Sequence, residues 1–243
     1  ARTNREAAQS AMCAAITGVT PEYGLLLEQN RAGDVLIQVE ADVDSEYDYE
    51  LLGYITPKKM GQAYHCPVFN GLSKQTTSEQ LMDLGTQLNI HGIVPMFHVV
   101  GVTPEAADVH TAFLGRKDPP VVTITNEDLA QARAEISAGT GKADFCILGC
   151  PHLTINQVGS IAKMLDGQQL AGQLYIFTST STKELAQRMG YLDIIHKAGG
   201  EIVINSCVDQ PCWSHLYGMS GVTESPKCAY YTKRWNMTFT VKS

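Results

Sequence analysis

Four short β-rich runs alternate with three helical stretches over the second half of the chain, and this alternation constrains the fold more than any other feature of the sequence. The runs are Val121-Val122-Thr123-Ile124, Phe145-Cys146-Ile147-Leu148, Leu174-Tyr175-Ile176-Phe177 and Glu201-Ile202-Val203-Ile204. Consecutive strands separated by helices cannot pair as hairpins, so the pattern predicts a parallel, doubly wound sheet with helices on both faces. Asn126, Thr154 and Thr182 each stand where a helix N-cap is expected. The fold class is therefore α/β, and Asp118-Pro119-Pro120 is the expected boundary between a first α/β region, 1–118, and the doubly wound region, 119–243.

The first half is less regular. An Ala-rich stretch from Arg5 to Ile16, followed by Gly18, predicts a short helix ending near Thr17. Val35 to Val39 reads as a strand, Asp42 to Glu50 as an acidic loop or helix start with a solvated face, and Ser78 to Leu88 as a helix. An apolar stretch runs from Ile93 to Val100.

With 243 residues, 44% of them apolar, the chain can bury a sizeable core. A formal charge of −7 without a Lys/Arg run argues against nucleic acid as a partner. No stretch approaches the roughly 18 continuous apolar residues of a membrane span, and the first residues lack the apolar core of a signal peptide. The expectation is a cytoplasmic protein without a membrane partner.

Seven cysteines, an odd number in a chain that needs no staples, favour free thiols or metal ligands over disulfides. In a parallel sheet the loops leaving the carboxyl ends of the strands converge on one edge, where ligands bind. Cys150, in Gly149-Cys150-Pro151-His152, and Cys207, in Asn205-Ser206-Cys207, both follow predicted strands and so share that rim. Cys228 lies in a later polar segment that could fold back over it, and Cys212 is its rival as a third ligand. Three converging thiolates suit an iron–sulfur cluster with one iron left open. The plain alternative for every one of these residues is a buried small side chain.

Around the rim, His152, Ser225 and Lys227 could supply polar and cationic groups, and Arg2 and Arg5 with Asn4 could clamp a carboxylate. The run from Thr178 to Thr182 could cradle an anion or simply cap a helix. A zinc-binding structural protein using Cys150, Cys207, Cys212 and His152 is the reading from another class.

Ala1-Arg2-Thr3-Asn4-Arg5-Glu6, Val100-Gly101-Val102-Thr103-Pro104-Glu105-Ala106, Gly149-Cys150-Pro151-His152 and Ser225-Pro226-Lys227-Cys228-Ala229-Tyr230-Tyr231 together resemble the large subunit of aconitase X. The resemblance implies an aconitase-like α/β fold, an iron–sulfur cluster (2Fe–2S or 4Fe–4S) held by three cysteines, and removal of water from a small hydroxy-acid substrate. By motif position it implies Cys150, Cys207 and Cys228 as cluster ligands, and Arg2, Thr3, Asn4, Arg5, Ser225 and Lys227 as substrate-binding residues, to which His152 is added as a candidate from its place at the rim. Ser225 is implied as the base, with Lys227 stabilising its charge. Family large subunits continue before Ala1 and past Ser243, and a small swivelling domain or subunit closes over the site. Within the family, the Ser-Pro-Lys-Cys segment and the sparse basic residues point to cis-3-hydroxy-L-proline as substrate, with mevalonate 5-phosphate as the alternative.

Overall fold

The computed structural model describes residues 2–137 and 143–242, so Ala1 of the N-terminal motif lies outside the described residues. In chain order the elements are α1 (Ala8–Thr17), β1 (Val35–Val39), α2 (Glu46–Met60), β2 (Pro67–Asn70), α3 (Ser78–Gln87), β3 (His98–Val99), α4 (Val109–Ala112), β4 (Val121–Ile124), α5 (Asn126–Ile136), β5 (Phe145–Leu153), α6 (Ile155–Leu165), β6 (Gln173–Thr178), α7 (Thr180–Arg188), α8 (Tyr191–Ala198), β7 (Gly200–Ile204), β8 (Ser220–Thr223), α9 (Pro226–Thr232) and β9 (Thr238–Val241). They build one sheet of four strands, ordered β3-β2-β1-β4, and another of five, ordered β7-β6-β5-β8-β9. Every described strand pair is parallel.

The strand expected to lead the second sheet instead closes the first. Val121 to Ile124 pairs with Leu36 to Val39 of β1. The change of sheet falls between α5 and β5, well after Asp118-Pro119-Pro120, because a β-rich run followed by a helix carries no record of which sheet it joins. Strands β2, β8 and β9 are not anticipated from the sequence: each is only four residues long, and β2 contains a Pro and β8 a Gly. The apolar run from Ile93 yields only the two residues of β3, since Pro95 has no N–H to give a ladder.

Helix α2 lies between the two sheets. Ser45 caps it through a reciprocal capping box with Asp48. Its buried residues go all the way round: Tyr47, Tyr49, Leu51, Leu52, Tyr54 and Ile55 share one core with Val35, Ile37 and Val39 of β1 and with Phe145, Phe239 and Val241 of the second sheet. A helix with an apolar surface on every side must be covered on every side. The acidic run before it is thus not uniformly solvated: Asp42, Asp44 and Glu46 are exposed, whereas Glu50 is 2% exposed. The outer face of the second sheet is covered differently, by α6, α7 and α8, whose buried Val158, Ala162, Ala186, Leu192 and Ile195 meet Leu174, Ile176 and Ile202. The far face of the first sheet packs Val68 against Ala106, Ala112 and Phe113. Among the described residues no helix is long and apolar enough to cross a membrane.

Candidate functional site

Strand β5 carries the first cysteine to the rim. Its register with β6 slips between Leu148 and Leu153, and such a bulge re-aims side chains at a strand's end. Gly149 makes the slip possible: it has φ +107°, and a Cβ there would stand 2.2 Å from the carbonyl oxygen of Phe177. The Gly149 N–H donates to Glu224 Oε1 at 2.6 Å, so the end of β8 steadies the end of β5. Cys150 therefore sits within the irregular tail of the strand.

Ser225 binds the next two pieces together. Its Oγ donates to the Cys150 carbonyl at 2.5 Å and accepts the Cys228 N–H at 3.3 Å, which makes it the N-cap of α9. With Ser225 wholly buried, its hydroxyl faces protein on all sides and presents no open lone pair to a substrate. In this arrangement Ser225 positions the Cys150 and Cys228 segments. Cys207 follows β7 after Asn205, which adopts a left-handed φ of 53°. The His152 imidazole N–H donates from Nε2 to the Ser206 carbonyl at 2.9 Å, tying the Cys150 and Cys207 segments to each other. Ser179 caps α7, so the Ser/Thr run there serves the helix.

Electrostatics place the three thiols in one neighbourhood. Burial pushes the Cys150 thiol up to about 12, with the charges of Glu224 and Cys207 adding to the rise and Lys227 opposing it. Burial also pushes Cys228 well above the usual thiol range, and Cys150, Glu224 and Cys207 each raise it further. Such through-space effects require proximity. Cys150 is half-buried, Cys207 exposed and Cys228 buried. Among the described residues no three His, Cys, Asp or Glu side chains close on a single point as one metal ion requires. The zinc set of Cys150, Cys207, Cys212 and His152 therefore does not assemble, and the His152 Nε2 is already engaged. A polynuclear cluster spreads its thiolates over more than one iron and so holds them further apart, so the donor type and the shared rim suit it where a lone ion does not fit.

The N-terminal motif is divided. Arg2 pairs with Glu28 and Glu105, Thr3 Oγ1 donates to the Asn4 carbonyl, and Asn4 holds Tyr23 and Leu25 through both ends of its amide. Arg2 and Asn4 thus tie the segment to residues 23–28, and Thr3 bonds only its neighbour. Arg5 alone reaches the end of α3, donating to Asn89 Oδ1 at 2.9 Å. Lys227 Nζ approaches the Thr86 carbonyl at 3.4 Å on that same turn of chain.

Four side chains that sequence reasoning passed over complete the region. Gln87, fully buried, donates to Glu50 Oε1 and to Ser225 Oγ and accepts the Lys227 N–H at 2.9 Å. Glu50, Asp83 and Glu224 line a cleft of about 390 Å³ beside Pro151. Burial raises all three carboxyls, Asp83 to about 7. Only Glu224 had a sequence signal, as a neighbour of the Ser-Pro-Lys-Cys motif; the others are polar residues on helices with no distinguishing spacing.

Family models for the aconitase X second domain and the aconitase X third domain match residues 33–134 and 143–243. The phosphomevalonate dehydratase large subunit of Methanothermobacter thermautotrophicus is 37% identical over 232 residues, covering 95% of this chain and 56% of that protein. The cis-3-hydroxy-L-proline dehydratase of Pseudomonas aeruginosa is 34% identical over 221 residues, covering 87% of this chain and 37% of that protein. A crystal structure of Thermococcus kodakaraensis aconitase X in its holo-form superposes with a TM-score of 0.88 at 32% identity, covering all of this chain and 61% of that one. The chain thus spans little more than half the length of the large subunits it matches.

Proposed function

Because the chain belongs to the aconitase X family, we propose that it forms the cysteine-bearing part of a hydro-lyase that dehydrates mevalonate 5-phosphate, working with a small subunit. The observation that carries this reading is the 37% identity over 95% of the chain to a phosphomevalonate dehydratase large subunit. It reverses the preference for cis-3-hydroxy-L-proline drawn from the Ser-Pro-Lys-Cys segment and the sparse basic residues. That substrate stays as the second reading, favoured by the Pseudomonas relative, 34% identical over less of the chain. A phosphate does not need many cations if two are well placed, and Arg5 and Lys227 meet the same end of α3.

Cys150, Cys207 and Cys228 would hold an iron–sulfur cluster, which when bound supplies a Lewis-acidic iron for the leaving hydroxyl. The chain's own residues prepare the rim. Ser225 locks the Cys150 carbonyl to the start of α9, His152 fixes the Cys207 segment, and Gln87 holds both Ser225 and the Lys227 backbone. Lys227 places a positive charge beside Cys150, favouring its thiolate form. Arg5 and Lys227 orient the anionic end of the substrate.

The test uses the full-length large subunit purified anaerobically with its small subunit. Turnover of mevalonate 5-phosphate with broad visible absorption, both lost in Cys150→Ser and Cys228→Ser, is the expected result. Turnover of cis-3-hydroxy-L-proline alone would move the protein to the other branch, and a colourless protein after anaerobic reconstitution would overturn the cluster assignment.

A further inference from the structure

The cleft beside the rim has a chemistry of its own. Glu50 on α2 and Asp83 on α3 are 2% and 4% exposed, yet Glu50 Oε2 and Asp83 Oδ2 have no hydrogen-bond partner among the described residues. The other oxygen of Glu50 receives only the Gln87 amide. Glu46 and Glu224 add two more carboxylates to the lining, and no Lys, Arg or His lines the cleft. Among the described residues none of these four acids takes part in an ion pair. Buried carboxylate oxygens are ordinarily satisfied by donors or by a counter-charge. Here, both residues line the same opening, about 390 Å³ in volume.

We propose that this cleft binds a monovalent cation of the potassium or ammonium class between Glu50 Oε2 and Asp83 Oδ2. The cation relieves the two orphaned oxygens and the mutual repulsion of the acids around them. Divalent and transition-metal ions need several charged donors drawn tightly round one point, and no three acidic, Cys or His side chains among the described residues provide that. A large monovalent ion bonds more loosely and fills its sphere with water, carbonyl or hydroxyl oxygens. Bringing such a charge into the cleft would also firm up Gln87, whose amide joins Glu50 to Ser225. The inference stands on the cleft alone and does not depend on which reaction the rim performs.

The experiment measures thermal unfolding of the full-length protein in potassium, ammonium or tetramethylammonium chloride at equal ionic strength. Potassium or ammonium should raise Tm by about 3 °C or more over tetramethylammonium, saturably, as linkage to a native-state site requires. The Glu50→Gln/Asp83→Asn double variant should be at least as stable as wild type in tetramethylammonium and should not respond to potassium. Equal Tm in all three salts, or a potassium response that survives in the double variant, overturns the proposal. Should the double variant fail to fold, thallous-ion NMR on the wild type decides: a resonance shifted by the protein and restored by excess potassium supports the site, and an unshifted resonance removes it.

Discussion

The cysteine rim and the acidic cleft share Glu224 and are joined by Gln87, and both bury polar groups, but they satisfy them in opposite ways. At the rim, Ser225 Oγ has the Cys150 carbonyl, the Cys228 N–H and the Gln87 amide as partners, and Gly149 and His152 are bonded as well. In the cleft, a few ångströms of side chain away through Gln87, an oxygen of Glu50 and one of Asp83 are left without partners. A rim whose hydrogen bonds close within the protein keeps its shape before anything binds, which is what positions ligands accurately. A cleft with open valences stores electrostatic tension that only a proton or a cation relieves.

The sharpest way to break this contrast is to cut the residue that joins the two regions. Gln87→Leu leaves Glu50 Oε1 and the Lys227 N–H without partners, and a loss of about 3 kcal/mol in urea unfolding is expected. A loss below about 1 kcal/mol would mean that the rim holds itself without Gln87. Next in size is Asp83→Asn, with the opposite sign. The folded carboxyl titrates near 7 against 3.8 when free, because burial and then the charges of Glu46, Glu224 and Glu79 oppose ionisation. The folded state therefore keeps a proton that the unfolded state gives up, and the contribution of Asp83 to stability is greatest below about pH 4 and is lost as pH rises through 7. In tetramethylammonium buffer the variant should gain on the order of 2 kcal/mol over wild type at pH 8 and nothing near pH 4; equal gains at both pH values would refute the electrostatic account of the cleft.

Smaller effects sharpen the picture of the rim. Ser225→Ala removes a helix cap and a donor to the Cys150 carbonyl, and a destabilisation of about 1.5 kcal/mol by chemical denaturation is expected. His152→Ala removes one exposed hydrogen bond and should cost about 0.5 kcal/mol, with its larger consequence in the mobility of the Cys207 segment, readable by amide hydrogen exchange. If His152→Ala were the costlier of the two, the clamp between cysteine segments would lie at His152 instead of Ser225.

The sequence was most legible where hydrophobic period and local chemistry agree. Val35 to Val39, the core of β5, β6 and β7, and the Thr154-capped start of α6 could be read from branched residues and N-cap positions alone, whereas the caps of α5 and α7 fall at Thr125 and Ser179 instead of Asn126 and Thr182. Sheet membership could not: β4 pairs with β1, and nothing within Val121-Val122-Thr123-Ile124 distinguishes that partner from β5. Cys150 and Cys207 were placed at the rim by the general geometry of parallel sheets, and Cys228 by family resemblance. The burial of Ser225 was not legible, because burial is a property of the surroundings and its motif does not disclose the Cys150 carbonyl lying against it. Glu50 was hidden for the same reason: an acidic run looks solvated until a helix starting inside it turns one member inward.

The placement of α2 between the two sheets also bears on the order in which this chain can be finished during its synthesis. Tyr47 at the start of that helix hydrogen-bonds the carbonyl of Val241 in β9, across 194 residues of sequence. Its core contains both β1 and β9. With a contact of that span, the face of α2 turned to the second sheet cannot reach its final packing until β9 has been made. Synthesis of β9 is then the event that covers this face of α2, and a chain stalled before β9 should expose that face to chaperones.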